Sequence, residues 1–238
     1  MQATLIPLEN VFLGLLPLVF VFVVFYLWQM NWKKYLLASS RMLIQLMVVG
    51  YFLTFIFSHQ KLYISVPLVL IMMSLSAWIA LHSVAPFRVR LYKYAFVALI
   101  LGALPNLMLT TMVVIPHSPW YDPAFLIPLS GMVFTQSMNT IGIASERFLN
   151  EIKIHDPHQA AALALQACLI PILNSYMAVG LVSLPGMMTG QILSGVEPLI
   201  AARYQILIMT MMMGAGSMTA FFFLVLLKKD QVNLHSVG

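Results

Sequence analysis

The chain has 238 residues, of which 61% are hydrophobic and only 8% charged, a composition that excludes an ordinary soluble domain. The formal net charge is +5, yet the basic residues stand in short loops between apolar runs. That pattern follows membrane topology and excludes a nucleic-acid binder.

In chain order, seven apolar stretches are predicted to cross a bilayer: 11–28, 43–57, 64–80, 94–115, 125–144, 173–193 and 204–227. Most approach the ~20 residues that cross about 30 Å of hydrocarbon as helix. The expected fold is therefore an all-α integral membrane protein, a single polytopic transmembrane domain over 1–238. No Lys or Arg precedes Lys33, so the first stretch does not read as a cleaved signal peptide. Seven crossings put Lys33, Lys34, Arg41, Arg88, Arg90, Lys93, Arg147, Lys153, Lys228 and Lys229 on one side. Only Lys61 and Arg203 fall on the other. The positive-inside bias then predicts an outer N-terminus and a cytoplasmic C-terminus. Trp28, Trp32, Trp120 and Tyr121 fall at predicted interfaces, where amphipathic rings prefer to sit.

The outer loop IPHSPWYDP, 115–123, carries three prolines together with His117 and Asp122. Two such residues in a proline-rich turn read as loop chemistry rather than as a metal site. The inner segment at about 146–170 is the longest non-spanning stretch. Asp156 can cap a helix that opens with Pro157, and AAALALQACLI favours helix strongly. Arg147 and Glu151 are spaced to pair on the turn before it. The segment is thus predicted as two short helices meeting near His155–Asp156 along the cytoplasmic surface. They could rest on lipid headgroups, or they could dock a soluble partner through Phe148, Leu149, Ile152 and Ile154.

The stretch VSLPGMMTGQILSGVEPLIAARYQI, 182–206, breaks its apolar run at Pro185-Gly186, since proline has no N–H for a helix and glycine costs it backbone entropy. Gly186 and Gly190 make a small-xxx-small step of the kind that admits a second helix, and Gly195 follows. Two readings stay open, a kinked packing helix and the lining of a transport path. Polar residues within spans are the natural path candidates because hydrocarbon penalises them. They include Gln45, Gln136, Asn139, Asn174, Ser175, Gln191 and Gln205, with Gln136 and Asn139 on one helix face. Met138, Met187 and Met188 join them, since thioethers suit soft ions. Most of the 18 methionines read as adaptable core filler. No catalytic triad, carboxylate pair or metal-ligand set is assigned.

RMLIQLMVVGYFL at 41–53, IPLSGM at 127–132, LIPILNS at 169–175, VGLVSLPGMMTGQILSG at 179–195 and EPLIAARYQI at 197–206 resemble the permease subunits of FetB-type ABC transporters. That family is associated with bacterial iron export and has plant relatives linked to aluminium tolerance. The resemblance implies a multi-pass permease in the cell (inner or plasma) membrane, a homodimer working with a separate P-loop ATPase. It implies export of a metal ion such as iron, with ATP and Mg held on the partner subunit and no cofactor or catalytic residue here. The chain has no G-x-x-x-x-G-K-[ST] and no Gly-Lys pair, which agrees with that division of labour. Coupling to the ATPase would fall to Glu146, Arg147, Phe148, Glu151, Ile152, Asp156 and Pro157. The chain departs from the family pattern at Lys153-Ile154-His155, where relatives carry a Leu-Gly-Ala-like turn, and at Thr135-Gln136, where they carry Gly-Asn. The alternatives are a nucleotide-independent secondary carrier and a membrane receptor or scaffold. No acidic residue lies mid-span, which weighs against a proton relay.

Overall fold

The computed structural model describes residues 7–57, 61–115 and 117–230. Among them, helices and turns account for the backbone, apart from one isolated bridge between Val179 and Ser183. Residues 58–60 of the predicted outer loop at 58–63 lie outside the described residues, as does Pro116. The chain divides into two units, Met1–His59 and Gln60–Gly238.

The first unit holds α1 (Leu8–Leu13), α2 (Leu16–Leu27) and α3 (Trp32–Phe57). Pro17 falls in the first turn of α2, where a missing N–H costs nothing. Gln29 takes a left-handed φ of 53° in the turn before α3, and Phe25 meets Tyr35 across it at 4.4 Å. No residue of α2 is buried, as suits an apolar helix bathed in acyl chains. The helix α3 begins eleven residues before the predicted 43–57 span, because Lys33, Lys34 and Arg41 interrupt hydrophobicity without interrupting helix.

The second unit begins with α4 (Leu62–Ala80). A long helical run over Ala85–Val114 follows, made of α5 (Arg88–Ala98), a π turn at Leu99–Ala103, α6 (Leu104–Met108) and a second π turn at Leu109–Val114. The first π turn leads into Pro105, which has no N–H for the ladder. In the second, Thr110 and Thr111 donate their hydroxyls to the carbonyls of Asn106 and Leu107 at 2.9 Å. Then come α7 (Pro123–Glu151), α8 (Pro157–Ala178), α9 (Gly186–Leu193) and α10 (Pro198–Lys229).

Six helical stretches are long and apolar enough to cross a membrane: Glu9–Leu27, Trp32–Thr54, Leu62–Ala80, Ala85–Val114, Pro157–Ala178 and Pro198–Lys229. The helix α7, at 29 residues, is long enough at roughly 43 Å but is not among them. It packs against α4, α8 and α10 and buries Ser130, Ser137, Thr140 and Ser145. A helix enclosed by other helices needs no continuous apolar surface.

Two predictions are corrected here. The segment 146–170 is not a pair of surface helices: residues 146–151 are the last turns of α7, and Pro157 opens one 22-residue helix. α8 carries Pro171 inside it. The 173–193 span is not one kinked helix either, because 179–185 is non-helical and separates α8 from α9.

The basic residues of this unit sort as the spacing predicts. Arg90 bonds Asp230 at 3.3 Å, joining the start of α5 to the end of α10. His158 and Lys228 line one apolar hollow, placing the start of α8 there too. At the opposite end, the Ser65 hydroxyl donates to the Tyr121 carbonyl at 2.7 Å, tying α4 to the turn before α7.

Candidate functional site

The break between α8 and α10 is built by local chemistry. Val179 is extended, Gly180 takes φ +83°, and its N–H donates to the Ser183 carbonyl at 3.0 Å. A left-handed φ of this kind favours glycine. Pro185 then caps α9, and the Thr189 hydroxyl bonds back to the Pro185 carbonyl at 3.1 Å. Gly195, with φ +95°, turns the chain out of α9 toward Glu197, the residue before α10. The predicted break at Pro185-Gly186 is therefore a complete interruption of helix.

This corner gathers unpaired polar atoms. Among the described residues, the buried side-chain atoms without a hydrogen-bond partner are the Tyr176 hydroxyl, Gln191 Oε1 and Gln205 Oε1. Tyr176 and Gln205 line one cavity of ≈ 370 Å³ between the end of α8, the break, α9 and α10. Met188, Met209 and Thr210 line it as well. The Thr210 hydroxyl donates to the Ile206 carbonyl at 2.9 Å and keeps its lone pairs as acceptors. Tyr176 sits beside Thr210 without a hydrogen bond of ordinary geometry. Gln205 is only 5% exposed, so its bare acceptor is an energetic cost that a partner would relieve.

The predicted path residues divide. Met188 lines the cavity and Gln191 stands unpaired on the same short helix. Met187 and Met138 pack on the hydrophobic core. Asn174 and Ser175 are exposed on α8 near Tyr176. Gln136 lies against α10, its Cγ 3.1 Å from where a Cβ on Gly216 would sit, and Asn139 is exposed one turn on. That contact is roughly 16 Å along α10 from Gln205, so the structure does not join Gln136 and Asn139 to the cavity. Gly186 and Gly190 have nothing within 4 Å of an added Cβ, so among the described residues of their unit no helix packs on their small-xxx-small step. Tyr176 and Thr210 were not singled out from sequence; a tyrosine in the last turn of an apolar helix was the signal available.

At the basic end, Glu151 bonds Arg147 at 2.7 Å and His155 at 3.3 Å. Asp156 accepts the His158 and Gln159 amides at 2.8 and 3.2 Å. The Gln159 amide first, then that of His158, holds the Asp156 carboxyl below the ordinary carboxylate range. Pro157 occupies the first turn of α8. Glu146 and Arg147 are exposed and Ile152 half-buried. Phe148 does not stand ready to fill a partner's groove: it is fully buried in the core. The exposed apolar side chain of this link is Ile154, at 79%. Among the described non-glycine residues only Gln29 has a positive φ, so the turn at Ile154 does not require glycine.

In the outer turn, His117 Nε2 and Asp122 Oδ2 lie 3.0 Å apart, and Asp122 caps α7 through the Ala124 amide. Among the described residues no three His, Cys, Asp or Glu side chains group to hold a metal ion.

Residues 9–231 match the model of an uncharacterised protein family, UPF0014. The chain is 36% identical to a UPF0014 membrane protein of Synechocystis over 83% of each chain. It is 31% identical to the probable iron export permease protein FetB of Escherichia coli, over 79% of this chain and 77% of that one. Its identity to the protein ALUMINUM SENSITIVE 3 of Arabidopsis thaliana is 29%, over 76% of this chain and 71% of the relative. No solved structure matches significantly. With six apolar helices of spanning length and a family match over nearly its whole length, the chain is a multi-pass membrane protein that belongs to the UPF0014 family.

Proposed function

We propose that the chain is the permease subunit of an ATP-driven ABC transporter, works as a homodimer, and exports a metal ion such as iron. The observation that carries this reading is similarity to a probable iron export permease in a chain that has no phosphate-cradling loop of its own. ATP and Mg then belong to a separate ATPase. The geometry supports a docking role for the link between α7 and α8. Ile154 projects from it beside exposed Lys153, at the end where Arg88, Arg90, Lys93, Lys228 and Lys229 also gather. Positive-inside bias makes that end cytoplasmic. The open faces of Gly186 and Gly190 support a second copy, since small residues let helices approach closely in lipid. Closure of two such chains by the ATPases would switch the spans between inward- and outward-open arrangements.

The test is to purify the chain with a candidate P-loop ATPase and reconstitute the complex in vesicles. Stable co-purification and ATPase activity that rises with ferrous iron are expected. An ATPase rate indifferent to the presence of this chain rules out the permease reading. A flat response across iron, copper, zinc and manganese removes the metal assignment alone.

A further inference from the structure

The hollow at the basic end of the second unit is built from two matched stripes. On α8, His158, Ala161, Ala162 and Leu165 stand at i, i+3, i+4 and i+7, the spacing of one helix face. On α10 the same spacing carries Phe221, Leu224, Val225 and Lys228. His158 lies at the start of one helix and Lys228 at the end of the other, so the polar member of each stripe falls on the same rim. Each stripe covers roughly 10 Å along its helix, and the side chains away from that rim are all apolar. The hollow exists because α8 sets two alanines where α10 sets larger side chains, leaving ≈ 190 Å³ between them. That is less than the roughly 300–1,000 Å³ of a pocket that encloses a whole small molecule. Ala162 and Phe221 are exposed, which makes the hollow a groove on the outside of the two helices rather than a closed chamber.

Both walls belong to helices long and apolar enough to cross a membrane, so the apolar part of the groove faces acyl chains. Its rim favours an anion. Lys228 is half-buried there, Lys229 follows it exposed, and among the described residues neither is in an ion pair. Asp230 is engaged by Arg90 at 3.3 Å. The Asp156 carboxylate accepts the His158 and Gln159 amides, so the start of α8 is already capped and an anion is left to the side chains. The exposed His158 ring adds an N–H donor. Positive-inside sorting makes this end cytoplasmic, the side on which basic pockets between spans meet anionic headgroups. We infer that the groove is a binding site for an anionic phospholipid, with one acyl chain lying between α8 and α10 and the phosphate held by Lys228 and His158. A phosphate there gains charge-assisted hydrogen bonds, whereas a zwitterionic headgroup brings a second cation toward Lys228 and Lys229. The site needs neither the ATPase nor a metal cargo, so it stands or falls separately from the permease reading.

The test uses the full chain in phosphatidylcholine nanodiscs carrying a trace of phosphatidylglycerol with a diazirine in one acyl chain, with cross-linked residues mapped by mass spectrometry. Labelling is expected on the 158–165 and 221–228 peptides. Unlabelled phosphatidylglycerol should half-suppress it at a mole fraction about tenfold lower than phosphatidylethanolamine of the same chains requires. The double variant His158→Gln, Lys228→Gln should bring that ratio close to one without lowering Tm, since both positions lie at the surface end of their helices. Lys34→Gln removes the same charge from the first unit and should leave the ratio unchanged. Ala162→Leu fills the groove and should weaken labelling by the lipid while Tm holds, because the position is exposed. The inference is overturned by equal suppression from the two lipids, by selectivity that survives in the double variant, or by labelling spread evenly over the spans. It is equally overturned if the groove peptides stay unlabelled because a second copy or the ATPase covers them.

Discussion

Gly102 and Thr219 press together so closely that a Cβ added to the glycine would lie 2.6 Å from the Thr219 Cα and as near to its hydroxyl. The first π turn and α10 therefore meet backbone to backbone, and nothing at that contact can move aside as a side chain would. Gly102→Ala is expected to destabilise the protein by about 1–3 kcal/mol, the usual cost of overpacking. Gly50→Ala in α3 is the control. No atom lies within 4 Å of its added Cβ, so alanine there should be neutral or stabilising by about 0.5–1 kcal/mol. Thermal unfolding of the two variants in the same detergent checks both outcomes.

The link between α7 and α8 separates two roles that lie six residues apart. Phe148→Ala should cost about 3–5 kcal/mol, because it empties a fully buried position. Ile154→Asp should leave the stability within about 0.5 kcal/mol of the parent, since the side chain is 79% exposed. In the complex with the ATPase, Ile154→Asp should abolish stimulated hydrolysis. Full stimulation by this variant would remove the link from the docking surface.

Asp156 gives a pH dependence with a definite sign. Its carboxyl is held below the ordinary range in the folded protein by the Gln159 and His158 amides. The cap therefore stabilises α8 fully above the ordinary carboxylate pKa and loses that contribution as pH falls through the lowered value. Exchange of the His158 and Gln159 amides, corrected for intrinsic rates, should accelerate at acid pH in the parent. In Asp156→Asn the cap persists without the titration, so the acid-specific loss of protection should vanish.

Thr140 sits where α7 meets α10, its hydroxyl directed at the Ser137 carbonyl at 2.9 Å and the Gly216 carbonyl at 3.2 Å. Thr140→Val keeps the shape and removes the bond. A loss of about 0.6–1 kcal/mol is expected, the scale of one interhelical hydrogen bond in a membrane protein. Gly216→Val should cost more, because its Cβ would meet Ile172 and Gln136 at 3.0 and 3.1 Å. Equal effects from the two substitutions would show that the α7–α10 seam tolerates bulk.

Sequence by itself determined the class, the helical character and the sorting of basic residues, because hydrocarbon tolerates only helices here and charges collect at its boundaries. It also located the Asp156 cap and the helix break at Pro185-Gly186, since capping and proline effects act within a few residues. Tertiary structure alone decided the rest. Pro171 continues a helix because neighbours hold it, α7 carries polar residues because other helices enclose it, and Phe148 turns inward rather than outward. Gln205 and Tyr176 share a cavity for the same reason: 29 positions and a non-helical break separate them in the chain, and only the folding of α10 back against α8 brings the two residues to one cavity wall.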